Sequence, residues 1–325
     1  MNIDRFFSQA RIVAATAGFA LAAVTAAPVS ASAPMAKTNA PGFYRIMLGD
    51  FEITALSDGT TELPVDKLLK NTTPEKVNAT LAKSFLKSPL EGSFNGFLIN
   101  TGSKLVLIDT GAGTLFSPTL GKLAANLKAS GYQPEQVDEI YITHFHPDHV
   151  GGLTADGKPV FPNAVVRADK LESDYWLSDA NLAKAPDDMK GFFQGAKAML
   201  APYVAAGKYQ TFTAAGELVP GIKAAPSIGH TPGHSSYVVE SQGQKLVLIG
   251  DLIHVAAVQF PDPTVVIGFD TDTKAAEAER QKEFAAAAKQ GYLVGGAHLS
   301  FPGLGHLRAD GKGYDWIPVN FTQIH

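Results

Sequence analysis

The chain has 325 residues, 45% of them hydrophobic, with 31 Gly, 20 Pro, no Cys and a formal net charge of −4. Such a composition argues against a disordered chain and excludes a disulfide framework, and no Lys/Arg block marks a nucleic-acid or anionic-membrane surface. Without thiolates, any metal site has to be built from His, Asp and Glu.

Residues 1–33 read as an export signal that is removed. Arg5 and Arg11 precede a small, Ala-rich apolar run from Ile12 to Ala27, and Ala31 and Ala33 end the two cleavage-type triplets. Pro34 disfavours the second, which leaves a cut after Ala31; the alternative is a single short membrane anchor. The expected location is therefore periplasmic or secreted, with no membrane attachment after processing. Residues 34–41 form a polar linker, and 42–325 are expected to make one domain.

Within that domain, "YRIMLGDFEITALSDG" predicts two strands about Gly49-Asp50, and "GFLINTGSKLVLIDTG" two more about Thr101-Gly102-Ser103. Leu120, Leu123, Ala124 and Leu127 share a helical face that Gly131 ends. "VDEIYIT" is a buried strand. The stretch from Ala164 to Lys208 opens with a strand and continues with helices rich in Phe, Trp and Ala. "GIKAAPS", "SSYVVES" and "QKLVLIGD" give a second strand series, followed by the helix "TDTKAAEAERQKEFAAAAKQG" and the strand "GYLVGGAH". A hairpin about Asp310-Gly311 closes the chain. "KLVLIDTG" near the start is echoed by "KLVLIGDL" later, a weak duplication that suits two sheets packed face to face with helices outside.

The strand at "VDEIYIT" delivers into "HFHPDHVGG", which places His144, His146, Asp148 and His149 in six positions. A loop opened by Pro147 and Gly151-Gly152 lets alternate side chains converge on one point. Neutral imidazoles with a carboxylate are good ligands for zinc-like ions. The alternative is a set of surface histidines in a polar loop.

"THFHPDHVGG" resembles the HxHxDH signature of the metallo-β-lactamase superfamily. "IDTG", "GHTPGH", "LIGDLIH" and "GAHLSFPGLGH" follow the rest of that pattern in order and cover nearly the whole domain. The resemblance implies an α/β fold, a four-layer αβ/βα sandwich of two mixed sheets with metals at their edge. Carried over by position, His144, His146 and His230 hold one divalent ion. Asp148, His149 and His298 hold the second, and Asp251 bridges both. Asp109 then orients a ligand histidine, and His234 hydrogen-bonds nearby loops. His306 and His325 stay structural or surface residues. Zinc is the first expectation for the two ions, with manganese, cobalt or iron accepted by the same ligands. A hydroxide shared by two such ions is a nucleophile at neutral pH, which makes Asp251 part of the catalytic machinery and predicts hydrolysis of an ester, lactone, amide or phosphoester.

Runs such as "GDFEITALSDGT", "GYQPEQVDEIYITH" and "AHLSFPG" resemble methyl parathion hydrolase and its lactonase relatives. That resemblance implies a small-molecule substrate and allows a homodimer. It puts Phe116, Trp176 and Phe192 on an aromatic wall suited to a flat aryl group. Four positions depart from the phosphotriesterase pattern: Leu68, His254, Ile267 and Phe269. His254, three residues beyond Asp251, stands where related lactonases present a tyrosine; as a catalytic group it would orient a carbonyl or shuttle a proton. Bulky Ile267 and Phe269 narrow the cleft in favour of a planar carbonyl. The expectation is a lactonase of dihydrocoumarin type with weak organophosphate hydrolysis. A dedicated organophosphate triesterase, an N-acyl homoserine lactone lactonase and a non-catalytic metal-binding protein are the alternatives.

Overall fold

The computed structural model describes residues 33–213 and 215–324. The expected export signal and His325 lie outside the described residues, apart from Ala33. Among the described residues, those from Ala40 onward form one compact unit. Among the described residues there are two seven-stranded sheets, each running in chain order. The first takes Phe43–Leu48, Phe51–Leu63, Leu90–Asn100, Leu105–Ile108, Glu139–Tyr141, Val165–Asp169 and Tyr209–Phe212. The second takes Gly216–Val219, Ile222–Pro226, Ser235–Ser241, Gln244–Leu248, Leu293–Gly295, Leu304–Asp310 and Gly313–Pro318.

The layering follows from strands that bury both faces. Along Leu105–Ile108, Leu105 and Leu107 join the core under the outer helices, while Val106 and Ile108 join the core between the sheets. The echoing strand divides the same way: Leu246 and Leu248 face the first sheet, and Val247 and Ile249 face the outer helix. An unbroken apolar run is the signature of such a strand. The two echoing segments are thus equivalent strands, one in each sheet.

Outer helices complete the four layers. Thr273–Gln290 starts where Asp272 accepts hydrogen bonds from the Lys274 and Ala275 amides, and ends at Gly291 in the left-handed region. It buries Ala276, Arg280, Phe284 and Ala287, one face of the helix. On the other side, Leu123–Ala129 buries Leu123 and Leu127; Leu120 is buried too but precedes the helix.

Two features were not expected. Pro74–Lys83 is a helix capped by Thr73, and Leu69–Lys70 pairs antiparallel with Val266–Ile267. Together they build a small core of Val65, Leu69, Val77, Leu81, Val258 and Ile267 beside the site. Two-residue strands carry no periodicity of their own, and this helix buries only Val77 and Leu81.

What positions the site is the set of parallel strands. Leu105–Ile108, Glu139–Tyr141 and Val165–Asp169 are parallel neighbours, as are Gln244–Leu248 and Leu293–Gly295. Their carboxyl ends lead directly to Asp109, His144, Glu172, Asp251 and His298. Loops after parallel strands are where α/β folds gather ligands.

Candidate metal centre

His144, His146, His230 and Asp251 each offer a ligand atom within 4.8 Å of the others, and so do Asp148, His149, Asp251 and His298. Asp251 belongs to both groups and is the hub. Its Oδ2 lies 3.5 Å from His144 Nε2, 3.4 Å from His230 Nε2 and 3.1 Å from His298 Nε2. Its Oδ1 lies 3.3 Å from His149 Nε2. Asp148 Oδ2 is 3.3 Å from His149 Nε2 and 3.4 Å from His298 Nε2.

The surroundings decide how these imidazoles face. Thr143 donates its amide and hydroxyl to the two Asp109 oxygens, both at 2.8 Å. Its oxygen can therefore accept from His144 Nδ1 at 3.0 Å. His149 Nδ1 donates to Asp109 Oδ2 at 2.8 Å, and His298 Nδ1 donates to the Ser93 carbonyl at 3.3 Å. His230 Nδ1 donates to Asp270 Oδ1 at 2.8 Å. Each of these four rings spends its N–H outward and turns a lone pair toward Asp251.

Lone pairs facing a carboxylate are a poor arrangement unless a cation sits between them. The Nε2 atoms of His144 and His149 and the Oδ1 of Asp251 are buried without a hydrogen-bond partner. Buried polar atoms are seldom left so. The donor set therefore fits two divalent ions, with Asp251 shared between them.

Electrostatics separates the two groups. Burial pushes the His144 and His146 pKa values well down, so these rings are neutral ligands. Burial also pulls on His149 and His298, but Asp251 and Asp148 beside them outweigh it and hold both above the usual histidine range. An ion entering the second group displaces protons.

His234 stays outside both groups. It accepts the Asp251 amide at 3.0 Å through Nε2, and its Nδ1 lies 2.8 Å from Ser227 Oγ. The ring thus fixes the backbone of the hub residue. Gly250 makes this contact possible: at φ +50°, any Cβ there would meet His234 Nε2 at 2.6 Å. His306 is exposed on the far hairpin.

A pocket opens on this centre. Leu63, Phe94, Phe116, Phe192, His254 and Phe269 line it, and His146, Asp148, Asp251 and His298 form its floor. Of the residues expected in the wall, Phe116, Phe192 and Phe269 do line it. Trp176 is fully buried behind His146, with ring centroids 5.3 Å apart. Ile267 is fully buried and Leu68 packs against the same core, so both support Phe269 from beneath. Phe94, unforeseen from sequence, sets its ring edge-on to His298 at 4.7 Å.

His254 Nε2 lies 3.2 Å from Asp251 Oδ2, and its Nδ1 has no partner. Burial pushes its pKa down to about 4, so the ring is neutral with a single N–H. Facing a carboxylate, that proton belongs on Nε2, which leaves a free lone pair on Nδ1.

Two buried carboxylates escaped the sequence reading. Asp270 orients His230 and also accepts the Ile267 amide at 3.2 Å. Glu172 is fully buried and holds loops on both sides of the centre. Each stands near a helix start, and Asp169 and Asp272 cap those helices, so both looked like ordinary residues of helix N-termini.

Comparison with known proteins agrees with this geometry. Residues 91–298 match the sequence profile of the metallo-beta-lactamase superfamily. The structure of a hydrolase named AbOPH in that superfamily superposes with a TM-score of 0.84 at 40% identity, covering 88% of this chain and 100% of the other. AidC, a dizinc quorum-quenching lactonase solved with a homoserine product, gives 0.81 at 28% identity, covering 87% and 99%. An N-acyl homoserine lactonase of Bacillus cereus is 25% identical over 209 residues, 58% of this chain and 74% of that protein. The chain belongs to the metallo-β-lactamase superfamily and is a metal-dependent hydrolase.

Proposed function

We propose that the protein is a lactonase of flat aryl lactones and esters of the dihydrocoumarin type. The observation that carries this reading is the pocket, in which four phenylalanines and Leu63 stand directly over the ligand atoms. Phenylalanine rings offer apolar area and tilted or edge-on packing to an aryl group, and an apolar wall keeps bulk water from a reacting carbonyl.

His144, His146, His230 and Asp251 would hold one divalent ion and Asp148, His149, His298 and Asp251 the other, which would supply Lewis acidity toward a carbonyl oxygen and toward water. The remaining roles belong to the chain. Asp251 keeps both groups in register, and the phenylalanines orient the ring. Hydrolysis breaks the acyl C–O bond: the water oxygen ends on the acyl carbon, and a water proton ends on the departing phenoxide or alkoxide. His254, a pocket-lining ring whose Nε2 faces Asp251, takes that proton and returns it to the leaving oxygen. Zinc is the ion proposed for both groups.

A second reading, N-acyl homoserine lactone hydrolysis, draws on the names of the lactonase relatives. The experiment compares kcat/KM of the purified protein for dihydrocoumarin, N-hexanoyl homoserine lactone and methyl parathion. The aryl lactone should lead by at least about tenfold, the scale on which a pocket discriminates between ring and chain. A lead for the homoserine lactone moves the function to the second reading, and a lead for the phosphotriester overturns lactonase function altogether. His254→Leu should depress lactone turnover more than phosphotriester turnover; equal losses argue against its proton-transfer role.

A further inference from the structure

Glu172 is a fully buried carboxylate with no part in the chemistry above, yet every hydrogen bond it makes goes to a ligand loop. Its Oε1 accepts the Phe145 amide at 2.8 Å. Phe145 stands between His144 and His146. Its Oε2 accepts the Thr231 hydroxyl at 2.7 Å and the Gly233 amide at 2.9 Å. Thr231 follows His230. One loop leaves the first sheet and the other joins two strands of the second, so a single carboxylate spans both halves of the fold.

The packing admits little slack. A Cβ on Gly233 would meet the Glu172 amide nitrogen at 2.2 Å and its Cβ at 2.6 Å, so the loop lies flat against the start of the Lys170–Trp176 helix. Trp176, on the same helix, backs His146. Burying a carboxylate is costly, and three donors are the compensation. A helix start needs no such inward group: Asp169 already caps this one by accepting the Leu171 amide at 2.7 Å.

We propose that Glu172 is a positioning residue that locks the His144–His146 loop and the His230 loop into register, setting the ion affinity of the three-histidine pocket. The proposal rests on the metal-dependent reading of the site. It assigns Glu172 no contact with substrate. Its effect passes through backbone that carries the ligands, and so it is graded: it bears directly on the loops of His144, His146 and His230, while the Asp148–His149–His298 pocket feels it only through the turn that starts at His146 and through shared Asp251.

The test is a zinc titration of metal-free wild type and Glu172→Gln by calorimetry, resolving two binding events. Glutamine keeps the shape but turns one acceptor into a donor, which then faces either the Phe145 amide or the Thr231–Gly233 pair. The expected result is a loss of roughly tenfold or more in affinity at one site, the scale of outer partners of metal ligands, with the other site changed much less. Thr231→Val removes one donor and should shift the same site by a smaller factor, which keeps the proposal testable if Glu172→Gln does not fold. Equal losses at both sites, tracking a fall in Tm, would mean a merely structural role and overturn the proposal. Unchanged affinities overturn it as well, while the metal reading stands. Wild type that binds no zinc overturns the metal reading and the positioning role with it.

Discussion

The two ligand pockets share Asp251 yet are built on different principles. The first is three buried histidines, two of which, His144 and His146, burial holds uncharged, backed by carboxylates outside the ligand set: Asp270 behind His230 and Glu172 behind both loops. The second brings its own charge. Asp148 and Asp251 face His149 and His298, and Asp148, with 12% of its side chain exposed, lies at the pocket floor. Outer groups orient the histidines of both pockets, Asp270 and Glu172 in the first and Asp109 in the second, but only the second adds a ligand carboxylate of its own beside the shared Asp251. An ion held mainly by uncharged ligands would keep more Lewis acidity.

The hub gives the largest expected effect. Asp251→Asn removes the shared charge from both pockets and leaves lone pairs facing an amide. Zinc stoichiometry should fall below two, and kcat should drop by about a thousandfold or more, the range for loss of an essential catalytic group. Two bound ions with undiminished turnover would contradict the hub.

A matched pair separates the pockets. Asp270→Asn loosens His230, and Asp109→Asn loosens His149 together with the Thr143 contacts. Each should cost roughly 10–100-fold in zinc affinity at its own pocket. Resolved titrations should therefore show the larger loss at opposite sites, with Asp109→Asn adding a smaller loss at the first pocket through Thr143 and His144. The same site weakened most in both would merge the pockets into one cooperative unit and erase the contrast.

The contrast also explains what the sequence made visible. Ligands follow directly on strands whose unbroken apolar runs are easy to read: "KLVLI" ends at Asp109 and again, after Gly250, at Asp251. His144 to His149 lie within six positions, so the centre was legible before any geometry. The supporting carboxylates were not. Glu172 and Asp270 act through contacts 27–61 and 40 positions away, and at their own positions they look like helix-start residues. The wall was partly legible. Phe116, Phe192 and Phe269 are exposed to the pocket, but an aromatic at a given position does not announce whether it faces the cleft, like Phe94, or sits behind a ligand, like Trp176. The small core around Val65 and Val77, which seats Ile267 and Leu68, comes from two-residue strands that only tertiary pairing creates.

Each pocket also has a wall phenylalanine beside a ligand histidine, and that pairing yields the smallest effect. Phe192 lies 5.2 Å from His146 in the first pocket, and Phe94 lies 4.7 Å from His298 in the second. A ring that seats substrate and a ring that props a histidine look alike in geometry but differ in what their loss moves. Phe94→Leu and Phe192→Leu keep apolar bulk and remove the aromatic face, worth about 0.5–1.5 kcal/mol in a good pair. If both rings hold the aryl group, each change raises KM for dihydrocoumarin roughly 3–10-fold, with kcat and both zinc affinities unaltered. If a ring props its ligand instead, affinity falls at its own pocket alone: the second for Phe94 and the first for Phe192. Since Phe94 stands beside His298 and the partly exposed Asp148, its substitution should give the larger rise in KM; a larger rise for Phe192 would place the aryl ring over the three-histidine side.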